Sequence, residues 1–163
     1  MIEFIVSGGQ TGADRAALDV ALALGIPYGG WCPAGRRAED GVIPARYANL
    51  TETPGRNYRQ RTEWNVRDSD YTLILVRGQT LGPGSRLTER LCQDFSKDYC
   101  VVYFDAAASD PDFVIELANS FDYLNVRQLN VAGSRESREP GIYVLAYHFL
   151  LQLLQHHNRL VPR

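Results

Sequence analysis

The chain has 163 residues, which suits one domain spanning 1–163, and a chain of this size buries about 70% of its unfolded surface without staples. Its 45% hydrophobic and 22% charged residues are those of an ordinary folded protein and exclude a disordered one. A net charge of −2 excludes a domain-wide basic footprint for nucleic acid, and no apolar stretch is long enough to span a membrane.

Residues 2–6 form a short β-branched and aromatic run ended by Ser-Gly-Gly, which predicts a buried strand followed by a turn. Residues 13–24 are strong helix formers, apolar on most sides, stopped by Gly25 and Pro27. A brief strand is expected over 28–33, then a long polar segment over 34–56, a length that is often functional. Further along, helices are expected at 57–68, 85–95, 110–121 and 140–157, and strands at 71–76, 100–104 and 126–131. Asp110-Pro111-Asp112 supplies a cap, a first-turn proline and a first-turn acid for the fourth helix. Alternating strands and helices predict an open, mainly parallel Rossmann-like α/β sheet covered on both faces.

The first loop, Ser7-Gly8-Gly9-Gln10-Thr11-Gly12, lies between a strand and a helix, the setting of a phosphate-binding turn. Free N–H groups at the start of a helix attract anions, and glycines let a ligand approach. Ser7, Gln10 and Thr11 add hydrogen-bonding side chains, and Arg15 adds charge one turn on. The alternative is that these glycines only shape a tight turn. Asp14 works against an anion there. No lysine follows Gly12, so this is not a Walker loop; Ser7 stands where a dinucleotide fingerprint needs glycine, so NAD is not supported.

Two further segments belong at the same edge of such a sheet. In residues 29–41, Trp31 offers a stacking face and Arg36 a charge, with Asp40 a weak acid–base candidate. Core packing would equally explain the tryptophan. In residues 82–88, Gly84, Ser85 and Thr88 make a second anion cradle, with Ser85 in the position of a helix cap. Glu89 is a second weak acid–base candidate. The basic clusters Arg36-Arg37, Arg56-Arg59-Arg61 and Arg135-Arg138 are either solvated surface or contacts for a compact anion. The helix around Trp64 is unusually polar, with Arg61, Asn65 and Asp68 on one face; it is either a surface helix or one leaning over the ligand edge.

SGGQTGADRAALD (Ser7 to Asp19), GGWCPAGRRAEDG (Gly29 to Gly41), IPARY (Ile43 to Tyr47) and YRQRTEWNVRDSD (Tyr58 to Asp70) together resemble the family of proposed molybdenum carriers. The resemblance spans nearly the whole chain. It implies the Rossmann-like fold of the superfamily that includes the LOG-type phosphoribohydrolases and DprA, homo-oligomers, and molybdenum cofactor or a nucleotide as ligand. The hydrolases carry P-G-G-x-G-T-x-x-E. Laid on Pro83, that signature keeps Pro83, Gly84 and Thr88, but Ser85 and Leu87 replace glycines and Leu91 replaces the catalytic glutamate.

Binding of a small phosphorylated ligand, as carrier or sensor, is therefore the expectation, with no protein-ligated metal, no nucleic acid and no membrane. The competing expectation is a nucleotide-processing hydrolase that uses Glu39, Asp40 or Glu89. Cys32, Cys92 and Cys100 lack C-x-x-C spacing and the amino terminus lacks a leader, which points to the cytoplasm. His148, His156 and His157 all fall in the closing helix, away from the expected site.

Overall fold

The computed structural model describes residues 1–106 and 110–160. Its apolar runs become β1 (Phe4–Val6), β2 (Tyr28–Cys32), β6 (Tyr71–Val76), β7 (Asp98–Tyr103) and β8 (Gln128–Gly133). They join β5 (Leu50–Glu52) in one six-stranded sheet of order β5-β2-β1-β8-β6-β7, every neighbouring pair parallel. All six residues of β6 are buried, as expected of an interior parallel strand covered on both faces. The segment expected as one long connection carries more structure than its sequence suggests. Besides β5 it forms a small antiparallel hairpin, β3 (Arg37–Ala38) with β4 (Gly41–Val42). Strands of two or three residues are too short to show an alternation.

Five helices cover the sheet: α1 (Ala13–Leu24), α2 (Tyr58–Arg67), α3 (Pro83–Asp94), α4 (Pro111–Tyr123) and α5 (Ile142–Leu160). Among the described residues none is long and apolar enough to cross a membrane. Asn57 and Asp110 cap α2 and α4 by accepting from the amides of Arg59 and Asp112. The α3 expectation needs correction: the helix starts at Pro83 with Gly82 as its cap, because proline's fixed φ suits a first helical position. Ser85 is thus already inside the first turn.

The two faces differ in character. α1, α4 and α5 pack together on one side over most of the core, where buried Ala13, Ala16, Ala17 and Ala21 let α1 approach closely. α2 and α3 cover the other side, where the buried apolar cluster is only Val66, Leu91 and Cys92. On that face Thr72 and Asn130 are buried and bonded to each other at 3.2 Å, so polar groups lie where a core would otherwise continue.

The hairpin region is clamped to α1 and α5 through one carboxylate. Asp19 accepts from the hydroxyls of Tyr47 at 2.8 Å and Tyr143 at 2.6 Å, and from the Arg46 guanidinium at 3.2 Å. Burial first, then the Asp19 carboxylate, raises both phenols, Tyr143 to about 12. An unfolded tyrosine ionises at about 10, so the unfolded chain releases these protons at lower pH than the folded one. Their stabilising contribution is whole below about pH 10 and is lost as pH rises through the folded values. Thermal melts across about pH 9 to 11.5 should show Tyr143→Phe losing stability less steeply than wild type. Identical slopes would remove the clamp from the account.

Candidate functional site

In an open parallel sheet, ligands lie outside the carboxyl ends of the strands where successive crossovers leave in opposite senses. Here β1 leads into α1 on one face and β6 leads into α3 on the other, with β8 between them. A cavity of about 440 Å³ opens at that point, within the range of small-ligand sites. Gly8 and Gln10 of the first loop line it, as do Tyr58, Arg61 and Asn65 of α2. The start of α3 and the segment from Asn130 to Arg138 complete it.

The first loop is turned inward. The amide of Gln10 donates to the Asp14 carboxylate at 3.1 Å, that of Thr11 to the Gln10 side chain at 3.1 Å, and that of Gly9 to the Ser7 hydroxyl at 3.4 Å. Ala13 donates to the Ser134 carbonyl at 3.2 Å. These amides do not face an outside anion as the sequence suggests, because the protein supplies its own. Asp14 Oδ2 also accepts from Arg61 Nη1 at 2.9 Å, and the two side chains are only 6% and 12% exposed. Arg61 fits because residue 8 is glycine: a Cβ there would run into its Nη1. Gln10 Nε2 and Arg61 Nε are buried without an acceptor among the described residues.

A second carboxylate ties the loops around the cavity. Glu39, at the tip of the β3–β4 hairpin, accepts from the hydroxyls of Thr11 and Ser137 and from the Ser137 amide at 3.2 Å. Its own amide donates to Gln10 Oε1 at 2.9 Å. Burial would raise Glu39, but the Ser137 and Thr11 hydrogen bonds prevail and hold it below the usual carboxylate range. Glu39, Thr11 and Ser137 thus join hairpin, first loop and last loop.

Of the sequence-predicted residues, Gly8, Gln10, Gly84, Ser85 and Thr88 line the cavity. Ser7, Gly9, Thr11 and Gly12 build the turn behind it. Arg15 donates to the Gly9 carbonyl and holds Asp40 bidentately at 2.5 and 2.7 Å. That guanidinium keeps the Asp40 carboxylate low and outside the cavity, which removes it as an acid–base candidate there. Arg36 is spent on the carbonyls of Ile43, Pro44 and Tyr47. Trp31 stands edge-on to Trp64 at 4.7 Å and donates to Asp68 at 2.8 Å, in a separate shallow depression. Glu89 accepts from the Tyr99 hydroxyl at 3.2 Å and also lies off the cavity.

Tyr58, Asn130 and Ser134 are lining residues that the sequence reading does not single out, whereas Arg61 and Asn65 lie on the α2 face read above as an alternative wall of the ligand edge. One signal for Asn130 was available: an amide in the middle of an otherwise apolar strand. Asn65 bonds both the amide and the carbonyl of Trp31, at 2.7 and 2.9 Å, and so serves β2 as a neighbouring strand would. On the α3 side, Arg138 lies against the helix start, where a Cβ at Gly82 would strike its guanidinium. Among the described residues Arg138 has no carboxylate within ion-pair distance. All three thiols are pushed up by burial, and among the described residues no cysteine or histidine lines the cavity. No group of three or more His, Cys, Asp or Glu among the described residues is arranged to hold a metal ion.

Residues 5–154 match the circularly permutated YpsA SLOG family. The chain belongs to that family. It is 42% identical to a crystal structure named "Putative molybdenum carrier protein" from Syntrophus aciditrophicus SB, with a TM-score of 0.89 over 94% of this chain and 95% of that one. No curated protein matches it significantly. Leu91 is 3% exposed and packed with Val66 and Cys92.

Removing one partner of a buried ion pair strands the other charge. Arg61→Ala should therefore cost about 3–5 kcal/mol in urea unfolding, while Asp14→Asn combined with Arg61→Met should recover most of that loss. A single-variant loss below about 1 kcal/mol, the scale of a surface pair, would show that the pair is not what organises the loop.

Proposed function

We propose that this chain binds, without converting it, a small phosphorylated heterocycle of the molybdenum-cofactor or nucleotide kind, with the phosphate at the start of α3. One observation carries the reading. The Arg138 guanidinium is packed beside Gly82, at the positive end of α3, with no carboxylate within ion-pair distance among the described residues. Two positive charges held together in a cavity wall are unfavourable alone and favourable around an anion. Ser85 and Thr88 sit in the same turn, and the amides of Gly84 and Ser85 belong to the helix start.

A molybdenum cofactor fits this wall through its phosphate. When bound, that group would bring its own metal, because the cavity lining offers neither thiolate nor imidazole. The relative's name supports this ligand, and a nucleotide would satisfy the same anion contacts. A hydrolase would need an acid–base carboxylate in reach. Asp14 is the sole cavity-lining carboxylate among the described residues, and its Oδ2 is already committed to Gln10 and Arg61. The core position of Leu91 further favours binding over cleavage.

Isothermal titration with adenosine monophosphate and with molybdopterin tests the reading, alongside native mass spectrometry of the purified protein. At least one probe should bind, and Arg138→Ala should weaken it by about 10- to 100-fold, the value of a charged hydrogen bond. The reading fails if neither binds, or if the variant binds as wild type does.

A further inference from the structure

A second concentration of positive charge stands on the α2 side of the cavity. The guanidinium carbons of Arg37, Arg135 and Arg61 lie 4.7, 5.4 and 5.6 Å from the centre of the Tyr58 ring. They come from the β3–β4 hairpin, the segment after β8, and α2 itself, so tertiary folding brings the three together. Tyr58, Arg61 and Arg135 all line the cavity that Arg138 lines from the α3 side, and Arg37 reaches the Tyr58 ring from outside that lining.

The charges in this group are poorly balanced. Arg61 is neutralised by Asp14 at 2.9 Å. Arg135 is 3.8 Å from Glu39, whose oxygens already serve Thr11 and Ser137. Arg37 donates to the Arg56 carbonyl at 3.2 Å and has no carboxylate within ion-pair distance among the described residues. The ring's negative face attracts each guanidinium, but it cannot discharge their mutual repulsion. Arg61 Nε and the Nε2 of Gln10, itself 5% exposed, are buried without an acceptor among the described residues.

We infer that Tyr58 with Arg37, Arg135 and Arg61 forms a second anion subsite, and that the ligand carries two separated anionic groups rather than one. This rests on the proposed anion site at α3. One group would lie against Arg138 and the start of α3, the other against the arginines around Tyr58. The second group is either a further phosphoryl or a tetrahedral metal oxoanion; both present several acceptor oxygens to guanidinium forks.

Inorganic phosphate and inorganic molybdate, titrated separately into labelled full-length protein, test this without a known ligand. Amide and arginine Nε resonances are followed by NMR against sodium chloride at matched ionic strength. Two sets should move on saturable curves: Gly84, Ser85 and Arg138 in one, Arg37 and Arg135 in the other. Arg37→Gln with Arg135→Gln should weaken the second response at least tenfold and leave the first unchanged; Arg138→Ala should do the reverse. Tighter molybdate than phosphate at the second set would assign the second group as an oxoanion, and the opposite order as a phosphoryl. If only the first set responds, the second subsite is wrong and the α3 reading stands. If the first set is silent, the α3 reading falls and this inference with it. Equal movement of remote arginines such as Arg90 and Arg127 would mark adventitious binding and overturn the subsite. The wild-type titration decides these outcomes even if a variant does not fold.

Discussion

The site depends on one buried ion pair, Asp14 with Arg61. A helix start preceded by glycines carries unsatisfied amides and a positive partial charge. In this chain the Asp14 carboxylate answers those amides from within α1's own first turn, taking the Gln10 N–H. Such a carboxylate is costly to bury alone and needs a cation. Arg61 supplies it from α2, across the cavity edge, and the pair fixes how α2 meets the first loop. The room left over lies toward α3, whose start has no comparable acid in its first turn. The proposed phosphate site thereby falls on the other side of the switch point from the first crossover.

The hairpin and the last loop complete this frame by the same means. Glu39 collects donors from Thr11 and Ser137, while Glu136 accepts from the amides of Gly141 and Tyr143 at 2.6 and 3.0 Å and so serves the start of α5. Glu139 does likewise for the amides of Arg77 and Gly78, at 2.9 and 2.7 Å. Carboxylates therefore satisfy the loop backbone all around the sheet edge, and each is consumed in doing so. What remains facing the cavity is mostly arginine, hydroxyl and amide. A protein with a net charge of −2 thus presents a basic site, because its acids are turned toward its own backbone.

The fold was legible because its signals are local and strong. β6 reads as a continuous apolar run, α1 as an alanine-rich helix ended at Gly25, and α4 by its Asp-Pro cap. The hairpin and β5 were not, since two or three residues cannot display a period and their pairing is set by tertiary contacts. The site was half legible. Gly84, Ser85 and Thr88 carry a local helix-start signature, and they line the cavity. Trp31 and Arg36 looked equally suitable by type, yet Trp31 is turned elsewhere by Trp64 and Asp68, far away in sequence, and Arg36 by carbonyls of the nearby 43–47 segment. Arg138 appeared only in a basic cluster, and Arg61 in a cluster and on the polar face of its helix, because nothing local shows which guanidinium has a carboxylate waiting.

The glycines show most plainly why motif and mechanism separate here. A glycine-rich strand-to-helix turn suggests close approach of a phosphate, and the same missing Cβ serves a side chain equally well. At Gly8 the visitor is Arg61, held in place by Asp14; at Gly82 it is Arg138, held by no acid among the described residues. The first arginine is fixed because its partner is built into the fold. The second lacks such a partner, and its charge stays available at the cavity wall. The two loops look alike as sequence and differ, among the described residues, in a single carboxylate that stands beside one guanidinium and not beside the other.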